Sequence, residues 1–287
     1  MAQKYSSQNR TDEKLKKIMG ILAVVLVLLV ILASILVIRQ VKKFDKDNAY
    51  TGELAQNQKL KTSVLLCVDD TENEWVSTQF LLVDFDSDKG KVSVCEIPAS
   101  QKVTYEDATK TLQNAYDFGG ASYVRDALQE HFSISVQKYI DCPLSQVEIF
   151  INYFDGMDFV IPKAMQETGE NGNLTTNLVK GAQRLNGNQF CQYWRYNLWD
   201  SPEQKAEKRV SLLTKFLNDK LSEFESETIV DVYADVSGKL TTDISIVQMN
   251  DFSLLFKSFL TLDNPFVSLQ IDFSDGAKAK KTLQSYF

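Results

Sequence analysis

The sequence predicts an α/β sandwich behind an N-terminal transmembrane helix, and three observations carry that expectation. Residues Ile18 to Ile38 run for twenty-one positions without a charge. Beyond them, short apolar runs of strand type alternate with segments of helical spacing, which favours an α/β over an all-β fold. Residues 62–287 are also enough chain to bury one substantial core.

The apolar run fits a bilayer. As a helix it is about 31 Å long at roughly 1.5 Å per residue, against a hydrocarbon core of about 30 Å. It is apolar all round, whereas a core helix keeps a polar stripe. A signal peptide has a shorter apolar region and a small-residue cleavage site, but Arg39-Gln40-Val41-Lys42-Lys43 follows here. The expected plan is a tail over residues 1–17, the membrane helix over 18–38, a polar stalk over 39–61 and a folded portion over 62–287. Basic residues flank the span almost evenly, Lys4, Arg10, Lys14, Lys16 and Lys17 before it and Arg39, Lys42, Lys43 and Lys46 after it. Charge therefore does not set the orientation.

Residues 1–43 hold eight Lys/Arg against two Asp/Glu, whereas the rest holds 23 against 36. Such an acidic soluble portion repels nucleic acid and anionic membrane surfaces at long range. Nucleic acid is not an expected partner.

Taken in order, Lys61 to Val68 is a continuous apolar run, the pattern of a strand buried on both faces. Gln79 to Phe85 and Lys91 to Ile97 form a hairpin around Asp86-Ser-Asp-Lys-Gly90. Gln101 to Tyr105 reads as a short edge strand. A helix starts near Thr111 to Tyr116, breaks at Gly119-Gly120, and resumes over Ala121 to His131. Ile134 to Cys142 alternates as a strand, and Pro143 opens a helix over Leu144 to Phe154. Asp155-Gly156-Met157 turns into a strand at Phe159 to Ile161. Gly169 to Asn173 is a loop, Asn177 to Arg184 a turn or short helix, and Asn188 to Arg195 a helix. From Glu203 to Phe224, Ala206, Val210, Leu213, Leu217 and Leu221 recur at helical spacing. Thr228 to Tyr233 suits a strand or helix extension, Leu240 to Asp243 a boundary and Ile246 to Leu260 a helix. Phe266 to Phe273 alternates as a strand, and a small helix follows Asp275-Gly276.

Cys67, Cys95, Cys142 and Cys191 form no CxxC pair, so neither thioredoxin-like chemistry nor a zinc knuckle is expected. They read as small buried apolar residues, although Cys67 and Cys95 can sit on neighbouring strands and the pairing stays open. No HExxH, Walker loop or GxSxG elbow is present. The single histidine, His131, has no nucleophile partner in the sequence and reads as a helix-end residue.

Two constellations carry chemistry. Asp69 and Asp70 end the first strand, where α/β folds place ligand groups, and their oxygens suit Mg²⁺ as well as they suit turn caps. Arg195, between Trp194 and Tyr196, and Arg209, on the long helix, can fork onto phosphate oxygens or form salt bridges.

The ordered blocks from Val64 to Ser245 resemble the LytR-CpsA-Psr family. Leu65-Leu66-Cys67-Val68-Asp69 is similar to its first strand with an acidic terminus. Lys91-Val-Ser-Val-Cys-Glu-Ile-Pro98 is similar to the hairpin ending in the Ser-Ile-Pro-Arg-Asp signature. Leu112-Gln-Asn-Ala-Tyr-Asp-Phe-Gly-Gly120 and Val179-Lys-Gly-Ala-Gln-Arg-Leu-Asn-Gly187, with Gln192-Tyr-Trp-Arg195, complete the set. The resemblance implies an α/β/α sandwich with a mixed central sheet, outside the cell membrane on a single-pass anchor. It also implies binding of a polyprenyl-pyrophosphate-linked glycan and its transfer to peptidoglycan, with Mg²⁺ assisting.

Carried over by position, Asp69, Arg195 and Arg209 keep family residues. Val76 stands for an arginine, Thr78 for the metal-associated aspartate, Ala99 and Ser100 for Arg-Asp, Thr111 for a lysine, and Asn197 and Ala206 for arginines. Removing one preorganised charge contact from a transition state costs about 3 kcal/mol, and here several are missing. The leading expectation is a catalytically impaired relative in envelope glycopolymer assembly, acting as an accessory or lipid-binding scaffold with other assembly proteins. One alternative is an active phosphotransferase using Asp69 or Asp70 with Mg²⁺ and the two arginines. Another is an envelope interaction or sensory module.

Overall fold

The computed structural model describes residues 61–70, 78–169, 172, 174–221, 239–244 and 262–287. The expected tail, membrane helix and all but the last residue of the stalk lie outside these, as do Val76 and the segments expected at Thr228 to Tyr233 and Ile246 to Leu260. Among the described residues, no helix is long and apolar enough to cross a membrane.

A six-stranded sheet forms the middle layer, in the order β11-β6-β1-β2-β3-β12. Strands β1 (Lys61–Asp69), β2 (Gln79–Asp86) and β3 (Lys91–Ile97) form an antiparallel meander. Strand β6 (Lys138–Pro143) runs parallel to β1 and β12 (Phe266–Ser268) parallel to β3, while β11 (Thr241–Thr242) pairs antiparallel to β6. The sheet is thus mixed.

Period-two alternation divides its side chains between two cores. Val64, Leu66 and Val68 of β1 enter one core with α2 (Leu144–Tyr153), α3 (Gly187–Arg195) and α4 (Pro202–Lys220). Leu65 and Cys67 enter the other with α1 (Leu112–Phe132) and α5 (Gly276–Tyr286). Burial on both faces explains why β1 reads as an unbroken apolar run, and the layers are α/β/α.

Local chemistry sets the helix ends. The Thr111 hydroxyl accepts from the Asn114 N–H and caps α1, and Asn186 with Gln189 makes a capping box on α3. Gly187 is required by a close approach: a Cβ there would lie 2.0 Å from the Glu148 carbonyl oxygen, so its absence lets α3 rest against α2.

Several expectations are corrected. Lys102–Tyr105 (β4) is not an edge of the main sheet. It pairs with β5 (Ala108–Thr111) through Glu106 and Asp107, both at positive φ, as a tight hairpin demands. The helix break expected at Gly119-Gly120 is present, in contrast, as non-helical geometry at Gly120 (φ 67°) with helix on both sides. The strand before Pro143 begins at Lys138 rather than Ile134.

Asn177 to Arg184 is neither a turn nor a short helix. It is shared by β9 (Leu174–Leu178), paired with β8 (Met165–Thr168), and β10 (Gly181–Leu185), paired with β7 (Met157–Ile161). These two-stranded ribbons are largely exposed, so their polar residues mask the strand pattern. Leu240 to Asp243 contains a strand, β11, instead of serving only as a boundary. The alternating stretch Phe266 to Phe273 is strand only through Ser268; the Leu269 N–H still donates to the Val94 carbonyl, after which Ile271 and Phe273 pack with Leu269 on the second core without a ladder.

All four cysteines are buried and free. Cys67 and Cys95 are not on neighbouring strands, because β2 lies between β1 and β3.

Candidate functional site

Strand alternation sends Asp69 and Asp70 to opposite faces of the sheet. Asp70, 3% exposed just past β1, meets Arg195 from the last turn of α3. The guanidinium donates from Nε to Oδ2 at 2.6 Å and from Nη2 to Oδ1 at 2.8 Å. Burial alone depresses the Arg195 pKa, but the hydrogen bond and charge of Asp70 outweigh it and raise the net value.

Asp69 lies near a different acid. Its charge helps to raise the pKa of Asp141 on β6 to about 6, burial being the larger cause and the Tyr116 hydrogen bond opposing both. Tyr116 donates its hydroxyl to the Asp141 carboxylate at 2.8 and 2.9 Å. The two acids expected to share an ion therefore face different partners, and both Asp70 oxygens accept from Arg195. Among the described residues, no group of three His, Cys, Asp or Glu comes together in a way that could hold a metal. Asp69 and Asp70 are thus not a shared pair of ligands for one Mg²⁺ ion.

Arg209 lies on the sheet-facing side of α4 and is 7% exposed. It forks onto Glu96 of β3, with Nε to Oε2 at 2.7 Å and Nη2 donating to Oε1. Glu96 shares the core-facing side of β3 with Val92 and Val94, where an unpaired carboxylate would be costly. That acid in an apolar alternation is the signal, passed over in the sequence, that a cation had to reach it.

Above this pair lies a cavity of about 680 Å³. Six of the seven positions at which the sequence departs from the resembled motifs line it: Thr78, Ala99, Ser100, Thr111, Asn197 and Ala206. Arg209 lines it too, whereas Arg195, Asp69 and Asp70 are not among its described lining residues. The altered positions come from the residue before β2, the β3–β4 loop, the α1 cap, the α3–α4 connection and α4, and the fold gathers them at one place.

Sequence reasoning also missed Lys205, one turn before Arg209 on α4, which lines the cavity and donates to Asn197 Oδ1. Burial, then the charge of Arg209, lower its pKa to about 8. Its spacing from Arg209 was the available signal. A second cavity of about 610 Å³ shares Glu96, Pro98, Ser201 and Ala206 with the first. It runs between α4 and the segment after β12, where Val210, Leu269, Ile271, Phe273 and Ala279 supply apolar surface.

His131 stands apart from both cavities in the last turn of α1, and its Nδ1 accepts from the Thr104 N–H at 3.1 Å. Burial and Lys280 hold its pKa below the usual value. It joins the β4–β5 hairpin to the helix, in keeping with the helix-end reading.

A family model described as the LytR_cpsA_psr family matches residues 34–281. An uncharacterised Staphylococcus aureus protein is 22% identical over 204 residues, covering 69% of this chain and 49% of that protein. The chain thus spans about half the length of this curated relative. Among solved structures, B. subtilis TagV superposes with TM-score 0.60 at 16% identity, covering 80% of this chain and 98% of that one. A Eubacterium siraeum protein described as a putative transcription regulator gives TM-score 0.67 at 13% identity, with 84% and 98% coverage. TagT bound to LIIa-WTA gives 0.60 at 17%, with 83% and 94% coverage. At these identities the structural likeness establishes the fold.

Proposed function

The chain belongs to the LytR-CpsA-Psr family, and on that premise we propose that it serves bacterial envelope glycopolymer assembly as a membrane-anchored member with impaired transfer chemistry, an accessory or lipid-binding scaffold outside the cell. One observation carries this reading: six altered positions line a single cavity, and its arginine, Arg209, is already forked onto Glu96. A diphosphate leaving group needs cations directed at the charge it develops. A guanidinium engaged at both prongs by a buried carboxylate is not directed at a ligand, and Thr, Ala, Ser and Asn cannot stand in for the missing ones.

The adjoining cavity beside α4, with Val210, Leu269, Ile271 and Phe273, offers apolar surface suited to a polyprenyl chain. The apolar run Ile18 to Ile38 would keep such a trough close to the bilayer.

The test is the purified full-length chain in detergent with Mg²⁺ and a polyprenyl-pyrophosphate-linked glycan. The expected result is saturable lipid binding without glycan transfer or diphosphate hydrolysis. Transfer that disappears in Arg195→Ala would overturn the proposal.

A further inference from the structure

We infer that the 680 Å³ cavity is a binding site for a neutral saccharide, seated where the resembled motifs would hold a diphosphate. The inference deepens the proposed function and rests on it, since it concerns the ligand of the same cavity. Its volume falls within the roughly 300–1,000 Å³ of small-molecule sites.

The charge balance of the described lining does not favour an anion. Among the described residues, its charged lining is Lys205 and Arg209 against Glu96 and Asp200, two of each sign. Arg209 is bonded to Glu96, and Lys205 spends a donor on Asn197. A diphosphate would enter beside two carboxylates and gain no net attraction. A neutral ligand meets no such opposition.

What remains is the chemistry that recognises a polyol. Thr78, Ser100 and Thr111 bring hydroxyls that both donate and accept, the Thr111 hydroxyl also capping α1, and Asn197 brings an amide whose Oδ1 accepts from Lys205 and whose Nδ2 supplies donors. Carboxylates, repulsive to phosphate, accept well from sugar hydroxyls. Trp199 adds an apolar plane to this polar wall, and such an aromatic can cover the C–H face of a sugar ring. The indole is held firmly: Tyr193 and Tyr196 meet it edge-on with centroids 5.6 and 5.3 Å away, and Lys163 Nζ lies 5.1 Å from its centroid. A fixed aromatic loses little conformational freedom when a ligand docks.

Calorimetry on the full-length chain in detergent tests this with three probes: an N-acetylglucosamine tetramer, maltotetraose and inorganic pyrophosphate. At least one saccharide should bind saturably, with an affinity that is the same at low and high salt, as for an uncharged ligand. Trp199→Ala should weaken it about tenfold or more, while Trp199→Phe retains most of it. Ala206→Phe, which fills the cavity from the surface of α4 and leaves the aromatic cluster intact, should abolish binding even if Trp199→Ala fails to fold.

Saccharide binding unaffected by Ala206→Phe overturns the inference. So does salt-sensitive pyrophosphate binding, lost in Lys205→Ala, with neither sugar bound. These outcomes leave the proposed function standing, because that reading fails on glycan transfer from the lipid donor.

Discussion

Glu96 and Arg209, separated by 113 positions in the chain, meet as a two-pronged ion pair with side chains 4% and 9% exposed. The strand residue and the helix residue satisfy each other at the floor of the cavity. Removing one partner strands the other, and breaking a buried pair costs about 3–5 kcal/mol. Glu96→Ala should therefore lower unfolding free energy by about that much in urea titrations. The double variant Glu96→Leu with Arg209→Met should recover most of the loss. A loss under 1 kcal/mol for the single variant would show the pair to be dispensable.

The Asp70 and Arg195 pair makes a related prediction with a geometric control. Asp70 is the more buried partner, with a side chain 2% exposed against 22% for Arg195. Arg195→Ala should cost about 2 kcal/mol, since it leaves the carboxylate without its guanidinium donor. Arg195→Lys should rescue little, because an ammonium cannot present two parallel donors. Full rescue by lysine would reduce the contact to simple charge.

Asp84 predicts a pH dependence. It lies on β2, 1% exposed, with neither carboxylate oxygen hydrogen-bonded among the described residues. Burial is the main cause that raises its pKa from 3.8 to about 7, with Asp86 adding to it and Lys61 and Lys89 opposing. The folded state thus holds a proton that the unfolded chain releases above about pH 4. Its contribution is full below that pH and is lost as the pH rises through about 7, a decline of about 4 kcal/mol. Asp84→Asn should flatten this part of the stability curve and stabilise the protein at neutral pH.

Tyr116 and Asp141 offer a spectroscopic check. The phenol hydrogen bond holds the Asp141 pKa down against burial and Asp69. In Tyr116→Phe, a carboxyl ¹³C titration should move the midpoint upward from about 6. An unchanged midpoint would mean that the two groups do not share a proton donor in solution.

Gly187 tests the helix contact. A methyl group there would collide with the backbone oxygen of Glu148, which no side-chain rotation can relieve. Gly187→Ala should destabilise by more than about 2 kcal/mol despite the better helix propensity of alanine. Thermal unfolding reads this directly.

The β1–β3 meander was legible because burial and strand alternation agree there, and α4 because its apolar stripe is long and its Ser201 cap strong. The strands β8, β9 and β10 were not, since exposed strands need no apolar alternation. The positions around the cavity could be named from motif comparison, but the pairing of Arg209 with Glu96 and of Arg195 with Asp70 could not. Those contacts depend on which helix crosses which strand end, and no local spacing encodes a separation of 113 or 125 residues. Asp84 and Glu96 teach one lesson: an acid on a buried strand announces either a distant cation or a displaced titration.

The four thiols, sealed in the interior and unbridged, let the fold form without an oxidant. Maleimide reagents should find no cysteine in the native molecule and four once the chain opens. Labelling would then count unfolded copies one by one, with no engineered reporter.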